Sequence, residues 1–144
     1  MNPLLPEQVL VVDDSRALCR YLGARLAEVA EVTVASAGTL ADARALLAAD
    51  PGRFFVAVLD LNLPDAPDGE IVDALRASNL PLIVLTGSLD DALRARILSK
   101  PQVIDYVLKS NASEVHYVAR LVRRLRRNRA VKVLIVDDSA SFRC

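Results

Sequence analysis

The chain has 144 residues, with 18 Lys and Arg balanced by 18 Asp and Glu, and is 53% hydrophobic but only 4% aromatic. That length suits one compact domain and is short for two. The balance excludes a nucleic-acid or membrane partner on net electrostatics, and no apolar run reaches the ~18–20 residues that span a bilayer.

Met1–Glu7 is too short and polar for a secretory leader. The two cysteines, Cys19 and Cys144, form no disulfide framework or metal motif. A reducing cytoplasm is the expected compartment, with Cys19 at the rim of an aliphatic core.

In chain order, the apolar runs Val9–Val12, Val32–Ala35, Phe54–Leu59, Leu82–Leu85 and Ile104–Leu108 have strand length. They are mostly continuous, as strands buried on both faces are. Helical stripes separate them. Leu18, Leu22, Leu26 and Val29 form the first, and Leu40, Ala43, Leu46 and Leu47 the second. A short third helix is predicted near Glu70–Ala77. Leu89, Ala92, Leu93 and Ile97 mark the fourth, and Val115, Val118, Val122 and Leu125 the fifth. Thr39 with Asp42 and Ser88 with Asp91 read as capping boxes, Asn111 with Glu114 as a looser one, and Asp68 as the cap of the third helix. Asp50-Pro51-Gly52 ends the second helix. Five strand–helix alternations predict an α/β fold with a parallel sheet and helices on both faces.

Polar residues stand where the runs end. Asp13 and Asp14 follow the first, Asp60 the third, Thr86 the fourth and Lys109 the fifth. A parallel sheet puts all these ends on one edge, where ligands bind at the switch in strand order. In the order 2-1-3-4-5, strands one and three are neighbours and the three carboxylates converge. Together they stay ionised only beside a cation, and an all-oxygen set with room for water and phosphate suits Mg²⁺. A carboxylate, a divalent metal, an amine and a hydroxyl around one point make a phosphoryl-transfer site. Asp60 is the expected nucleophile, with Asp13 and Asp14 holding the metal. Any one of these aspartates could instead be an ordinary cap or turn former; the function is read from the set.

These segments resemble the receiver domain of bacterial two-component response regulators. VLVVDDS (Val9–Ser15), VAVLDLNLPD (Val56–Asp65), LIVLTGS (Leu82–Ser88) and DYVLKS (Asp105–Ser110) carry the resemblance, which covers about residues 7–128. It implies a flavodoxin-like fold of five parallel strands and a phosphorylation-dependent signalling switch rather than a turnover enzyme. By position, Asp60 is the phosphoacceptor. Asp13, Asp14, Asp60 and the backbone carbonyl of Asn62 hold Mg²⁺. Thr86 and Lys109 contact the phosphoryl group, and Thr86 and Tyr106 form the switch, moving inward on phosphorylation. The resemblance implies a sensor histidine kinase or phosphotransfer protein as donor and a downstream output domain as recipient. The alternative is a receiver-like docking or dimerisation module that is never phosphorylated.

The chain departs from the family pattern in three places. Ser110 stands where a proline with a cis bond is usual, and a trans Lys109–Ser110 bond is expected. The segment from Asp60 to Gly69 is one residue longer than the family pattern, and the third helix about one turn shorter.

The tail KVLIVDDS (Lys132–Ser139) repeats QVLVVDDS (Gln8–Ser15) in six of eight positions, at an offset of 124 residues. Residues 1–129 are therefore read as one receiver and 130–144 as the first strand and helix start of a second, truncated one. Such a tandem resembles regulators of the diguanylate cyclase type, although other outputs occur with it. Asp137 and Asp138 lack their partners in this chain. The orphan strand 131–136 is expected to seek a sheet edge in cis or in a swapped homodimer. Arg120, Arg123, Arg124, Arg126, Arg127 and Arg129 crowd the last helix, as a solvated face or a surface for a partner subunit or domain. Direct nucleic-acid binding is not expected, because no reading helix accompanies them, and His116 has no expected metal role.

Overall fold

The computed structural model describes residues 7–129, 131–134 and 136. The elements are β1 (Gln8–Val12), α1 (Arg16–Ala30), β2 (Thr33–Ala37), α2 (Leu40–Ala49), β3 (Phe54–Leu59), α3 (Glu70–Ala74), a 3₁₀ turn (Arg76–Ser78), β4 (Leu82–Thr86), α4 (Asp91–Leu98), β5 (Val103–Leu108) and α5 (Ala112–Asn128). All strand pairs are parallel, in the predicted order β2-β1-β3-β4-β5.

β3 and β4 are buried along their whole length, which is why they read as unbroken apolar runs. Their alternate side chains feed two cores. Leu10, Val12, Ala57, Leu59 and Val84 face α2, α3 and α4 through Ala43, Ile71, Val72 and Ile97. Val9, Val11, Val56, Val58, Ile83 and Leu85 face α1 and α5 through Leu22, Leu26, Val115, Val118 and Val122. Cys19 packs at the rim of the second core, as its composition suggested.

The capping residues define how each helix leaves its strand. Ser15, Thr39 and Asn111 accept from the backbone N–H groups of Leu18, Asp42 and Ser113. Two predicted caps are corrected. α4 is capped by Asp90, whose carboxylate accepts from Leu93 N–H at 2.9 Å, and Ser88 instead accepts from Asp90 N–H one turn earlier. Leu89 therefore precedes the helix and is 80% exposed rather than in its apolar stripe. α3 starts from Gly69 at φ +76°, not from an Asp68 side chain. Asp68 is held through its backbone, its N–H donating to Glu70 and its carbonyl accepting from Arg96. After Ala74 the third helix tightens into the 3₁₀ turn, so the predicted single span to Ala77 is two pieces.

No cis peptide bond occurs among the described residues, and Lys109–Ser110 is trans. Residues 131–134 and 136 belong to no strand, so the expected addition to this sheet in cis is not made. Val131 N–H bonds back to Asn128 and the segment then runs into solvent, so it meets no open strand edge. Asp137 and Asp138, with the rest of 137–144, lie outside the described residues.

Gly69 sits in left-handed backbone, and a Cβ there would lie 3.3 Å from Ile97 Cδ1. Gly69→Ala is expected to lower stability by about 1–2 kcal/mol from the backbone alone, with crowding against Ile97 adding to it. Urea unfolding of the two proteins measures the difference.

Candidate functional site

The strand ends converge because the sheet continues one residue into each loop. Asp13 N–H bonds to Ala37 O at 2.9 Å, Asp60 N–H to Val12 O at 2.8 Å and Lys109 N–H to Thr86 O at 2.8 Å. These bonds fix the backbones of Asp13, Asp60 and Lys109 before their side chains make any contact. Among the described residues, the buried polar or charged side chains are Asp13, Asp60 and Thr86, at 5%, 6% and 0% exposure. A buried carboxylate is costly unless paired and hydrogen-bonded, and each of these two is.

Asp60 uses both oxygens. Oδ1 accepts from the Thr86 hydroxyl at 2.9 Å and from Asn62 N–H at 3.3 Å. Oδ2 meets Lys109 Nζ at 2.7 Å. The same ammonium reaches Asp13 Oδ2 at 2.5 Å, and Asp13 Oδ1 accepts from Ser15 N–H at 2.8 Å. Burial pushes the Asp13 carboxyl above its ordinary range, against the opposing pull of Lys109 and the Ser15 N–H. Burial also works against the Lys109 charge, but the two carboxylates outweigh it and hold its pKa above that of an ordinary lysine.

Asp14 is exposed and completes the group: one oxygen each from Asp13, Asp14 and Asp60 lies within 4.8 Å of the others. Three carboxylates in that span fit a hard divalent cation with carboxylate, carbonyl and water ligands. Asn62 is exposed, and its N–H donates to Asp60 Oδ1 at 3.3 Å, which puts its backbone beside the site. Beside the acidic pair a cleft of about 710 Å³, lined by Arg16, Arg20, Ser36 and Asp42 among others, opens between α1 and β2.

Tyr106 is 7% exposed, and its hydroxyl donates to Ser88 O at 3.3 Å. Burial pushes its phenol above the usual range. Thr86 bonds Asp60, and Tyr106 is buried on the strand beside it, so the two expected switch positions both lie against the site. All predicted side chains of the site therefore lie at one sheet edge or on the strand beside it, and Lys109 reaches the carboxylates with Ser110 following it.

Three residues escaped the sequence reading. The Arg94 guanidinium lies 5.6 Å from the centre of the Tyr106 ring. Arg96 donates to the Asp68 carbonyl at 2.9 Å. Asp65 accepts from Leu40 N–H at 2.8 Å and Ala41 N–H at 3.0 Å. Arg94 was open to inference, since it precedes the buried Ile97 by three residues and so shares its face. Nothing in the pattern signalled the other two.

Comparison with known proteins follows the same lines. The family model described as response regulator receiver domain matches residues 9–122. None of the curated proteins compared with the chain matches it. Among solved structures, a probable two-component system response regulator/GGDEF domain protein is 35% identical, with a TM-score of 0.80 over 94% of this chain and 53% of that one. A second structure of like description gives 35% identity and a TM-score of 0.82 over 94% and 54%. The chain thus spans about half the length of both. The non-phosphorylated HemR receiver domain from Leptospira biflexa is 25% identical, with a TM-score of 0.69 over 90% of this chain and 99% of that one. On its family match, its strand order and its 35% identity to two solved relatives, the chain belongs to the response regulator receiver domains, which are phosphorylation-dependent signalling switches.

Proposed function

We propose that Asp60 is the phosphoacceptor of this receiver and that Asp13, Asp14, Asp60 and the Asn62 carbonyl hold a Mg²⁺ ion. The observation that carries the reading is a buried Asp60 gripped at both oxygens by Thr86 and Lys109, with two further carboxylates within 4.8 Å. Bound Mg²⁺ would offset the charge of three carboxylates and of an incoming phosphoryl group. The chain's own residues do the rest. Asp60 presents a carboxylate oxygen whose position is fixed by the sheet. That oxygen forms a bond to phosphorus as the phosphorus–nitrogen bond of a donor phosphohistidine breaks, and the nitrogen keeps the electron pair. Lys109 stays protonated and pairs with a phosphoryl oxygen, and the Thr86 hydroxyl donates to another.

The donor in this reading is a sensor histidine kinase or phosphotransfer protein, and the recipient a downstream output domain. The new contacts of Thr86 and Lys109 favour one arrangement of α4, β5 and Tyr106 over another, which is a population shift rather than a new fold. A docking module without phosphate is the alternative.

Acetyl phosphate with Mg²⁺ is expected to label the wild type, and Asp60→Ala to abolish labelling. Wild-type protein that takes no label favours the docking module; label that survives Asp60→Ala places the acceptor elsewhere. Lys109→Ala leaves Asp13 and Asp60 facing each other without their cation. It is expected to cost about 2 kcal/mol in urea unfolding, less than the ~3–5 of a fully buried pair, because Lys109 is 23% exposed.

The tail is read as the start of a second receiver. At the repeat offset, Val133, Leu134 and Val136 correspond to Val9, Leu10 and Val12. The β1 residues are fully buried, whereas those of the tail are 79%, 86% and 86% exposed, which fits a strand without its own sheet. A homodimer through this strand is expected to vanish when residues 131–144 are removed. Sedimentation of both forms tests it, and a monomer in both removes strand exchange.

A further inference from the structure

We propose that Asp65 is a positioning residue for the metal pocket: by clamping the phosphoacceptor loop to the start of α2, it sets the Asn62 carbonyl and thereby the affinity for Mg²⁺. This deepens the Mg²⁺ reading above and rests on it.

The loop from Asp60 to Gly69 is fastened at both ends. Asp60 N–H is bonded to β1, and Gly69 N–H donates to Leu61 O at 2.9 Å while Arg96 holds the carbonyl of Asp68. Between these points, Leu63 and Ala66 exchange two backbone hydrogen bonds of 3.1 Å, and both are buried. Pro64 and Asp65 therefore form a two-residue tip, and Asn62 is the residue that joins the tip to Asp60. The tip has one polar side chain, and it reaches across to α2 with both oxygens.

The far end of that clamp is tied to the acidic pair. Gly38, two residues before Leu40, packs on the other side of the pocket: a Cβ there would lie 3.9 Å from the Asp14 Cα and 4.0 Å from the Asp13 carbonyl. Asp13 N–H is bonded to Ala37. Three strand-end loops thus close into a ring. Asp14 packs on Gly38, Leu40 and Ala41 bond Asp65, and Asp65 leads back through Asn62 to Asp60. The residues proposed to hold the metal all lie along this ring, and Asp65 is the link made by a side chain alone. The backbone N–H groups it accepts from hold its carboxyl below the usual aspartate range, in keeping with a charge-assisted clamp.

A structural cap of α2 predicts something different from a positioning residue, and Thr39 separates the two. Its hydroxyl caps the same helix end through Asp42 N–H at 3.0 Å, whereas the bonds across to the phosphoacceptor loop are those of Asp65. The test is Mg²⁺ titration of the ¹⁵N-labelled whole chain, following the amide shifts of Asp14 and Asn62. Asp65→Ala is expected to weaken Mg²⁺ binding about tenfold, the lower range for residues that orient metal ligands, and Thr39→Ala to leave it within twofold. Asp65→Asn keeps one acceptor oxygen and is expected to fall between, and it serves if the alanine variant melts below the assay temperature. Unchanged affinity in the Asp65 variants overturns the proposal, as does an equal loss in Thr39→Ala. A wild type whose Asp14 and Asn62 amides do not respond to Mg²⁺ overturns the metal reading itself.

Discussion

Two buried carboxylates, Asp13 and Asp60, share one ammonium. Lys109 Nζ stands 2.5 Å from one and 2.7 Å from the other, and the geometry of the sheet edge depends on that arrangement. Without the amine, two negative groups would face each other in a place that water enters poorly, and one would have to take up a proton. With it, both can remain acceptors, which the nucleophile and metal ligand proposed here would have to be. The amine comes from the end of β5 and the acids from the ends of β1 and β3, so the pair spans the sheet. It can form only after β4 has been placed between β3 and β5. The site is thus a consequence of completed topology rather than of any local segment.

The cost of gathering like charges is offset by rigidity bought elsewhere. β1, β3 and β4 carry almost only aliphatic side chains and are buried on both faces, so their ends have little freedom. Each functional backbone is then held by one more sheet-type bond beyond its strand. Thr86, with no exposed surface, has its hydroxyl committed to Asp60. Positions set in this way need no reorganisation when charge arrives, which is the property that electrostatic catalysis of group transfer requires.

What the sequence disclosed follows from the same rule. Asp13, Asp60, Thr86 and Lys109 were legible because a parallel sheet maps the C-terminal end of every apolar run onto one edge. The period of the helices disclosed α1 and α5, whose stripes Leu22-Leu26 and Val115-Val118-Val122 are buried as written. Failures gathered where backbone conformation, not periodicity, decides. Ser88 and Asp90 are both good caps two residues apart, and only the turn after Thr86 selects Asp90. Gly69 takes the start of α3 because its left-handed φ disfavours any other residue, and a Cβ there would crowd Ile97. Asp65 and Arg96 act across 25 and 28 residues through loop shape, which hydrophobic pattern does not encode.

The two helical faces differ in how firmly they are held, and this bears on where a change at Asp60 can be felt. α5 buries Val115, Val118, Ala119 and Val122. α4 buries Ile97 alone among its eight residues. Its other ties are polar or at the rim: Arg94 over Tyr106, Arg96 on Asp68, and the Tyr106 hydroxyl on the Ser88 carbonyl just before the helix. Shifting α5 would expose a continuous aliphatic stripe, at about 1.5–3 kcal/mol for each large side chain. Shifting α4 would disturb one such side chain and a few exposed hydrogen bonds, each worth about 1 kcal/mol net. In the switch proposed above, the difference would direct a rearrangement driven from Thr86 toward α4 and β5. Arg96 and Gly69 connect α4 to the Asp60–Gly69 loop itself, so the more lightly held of these two helices is also coupled to the pocket through that loop's backbone, not only through Tyr106.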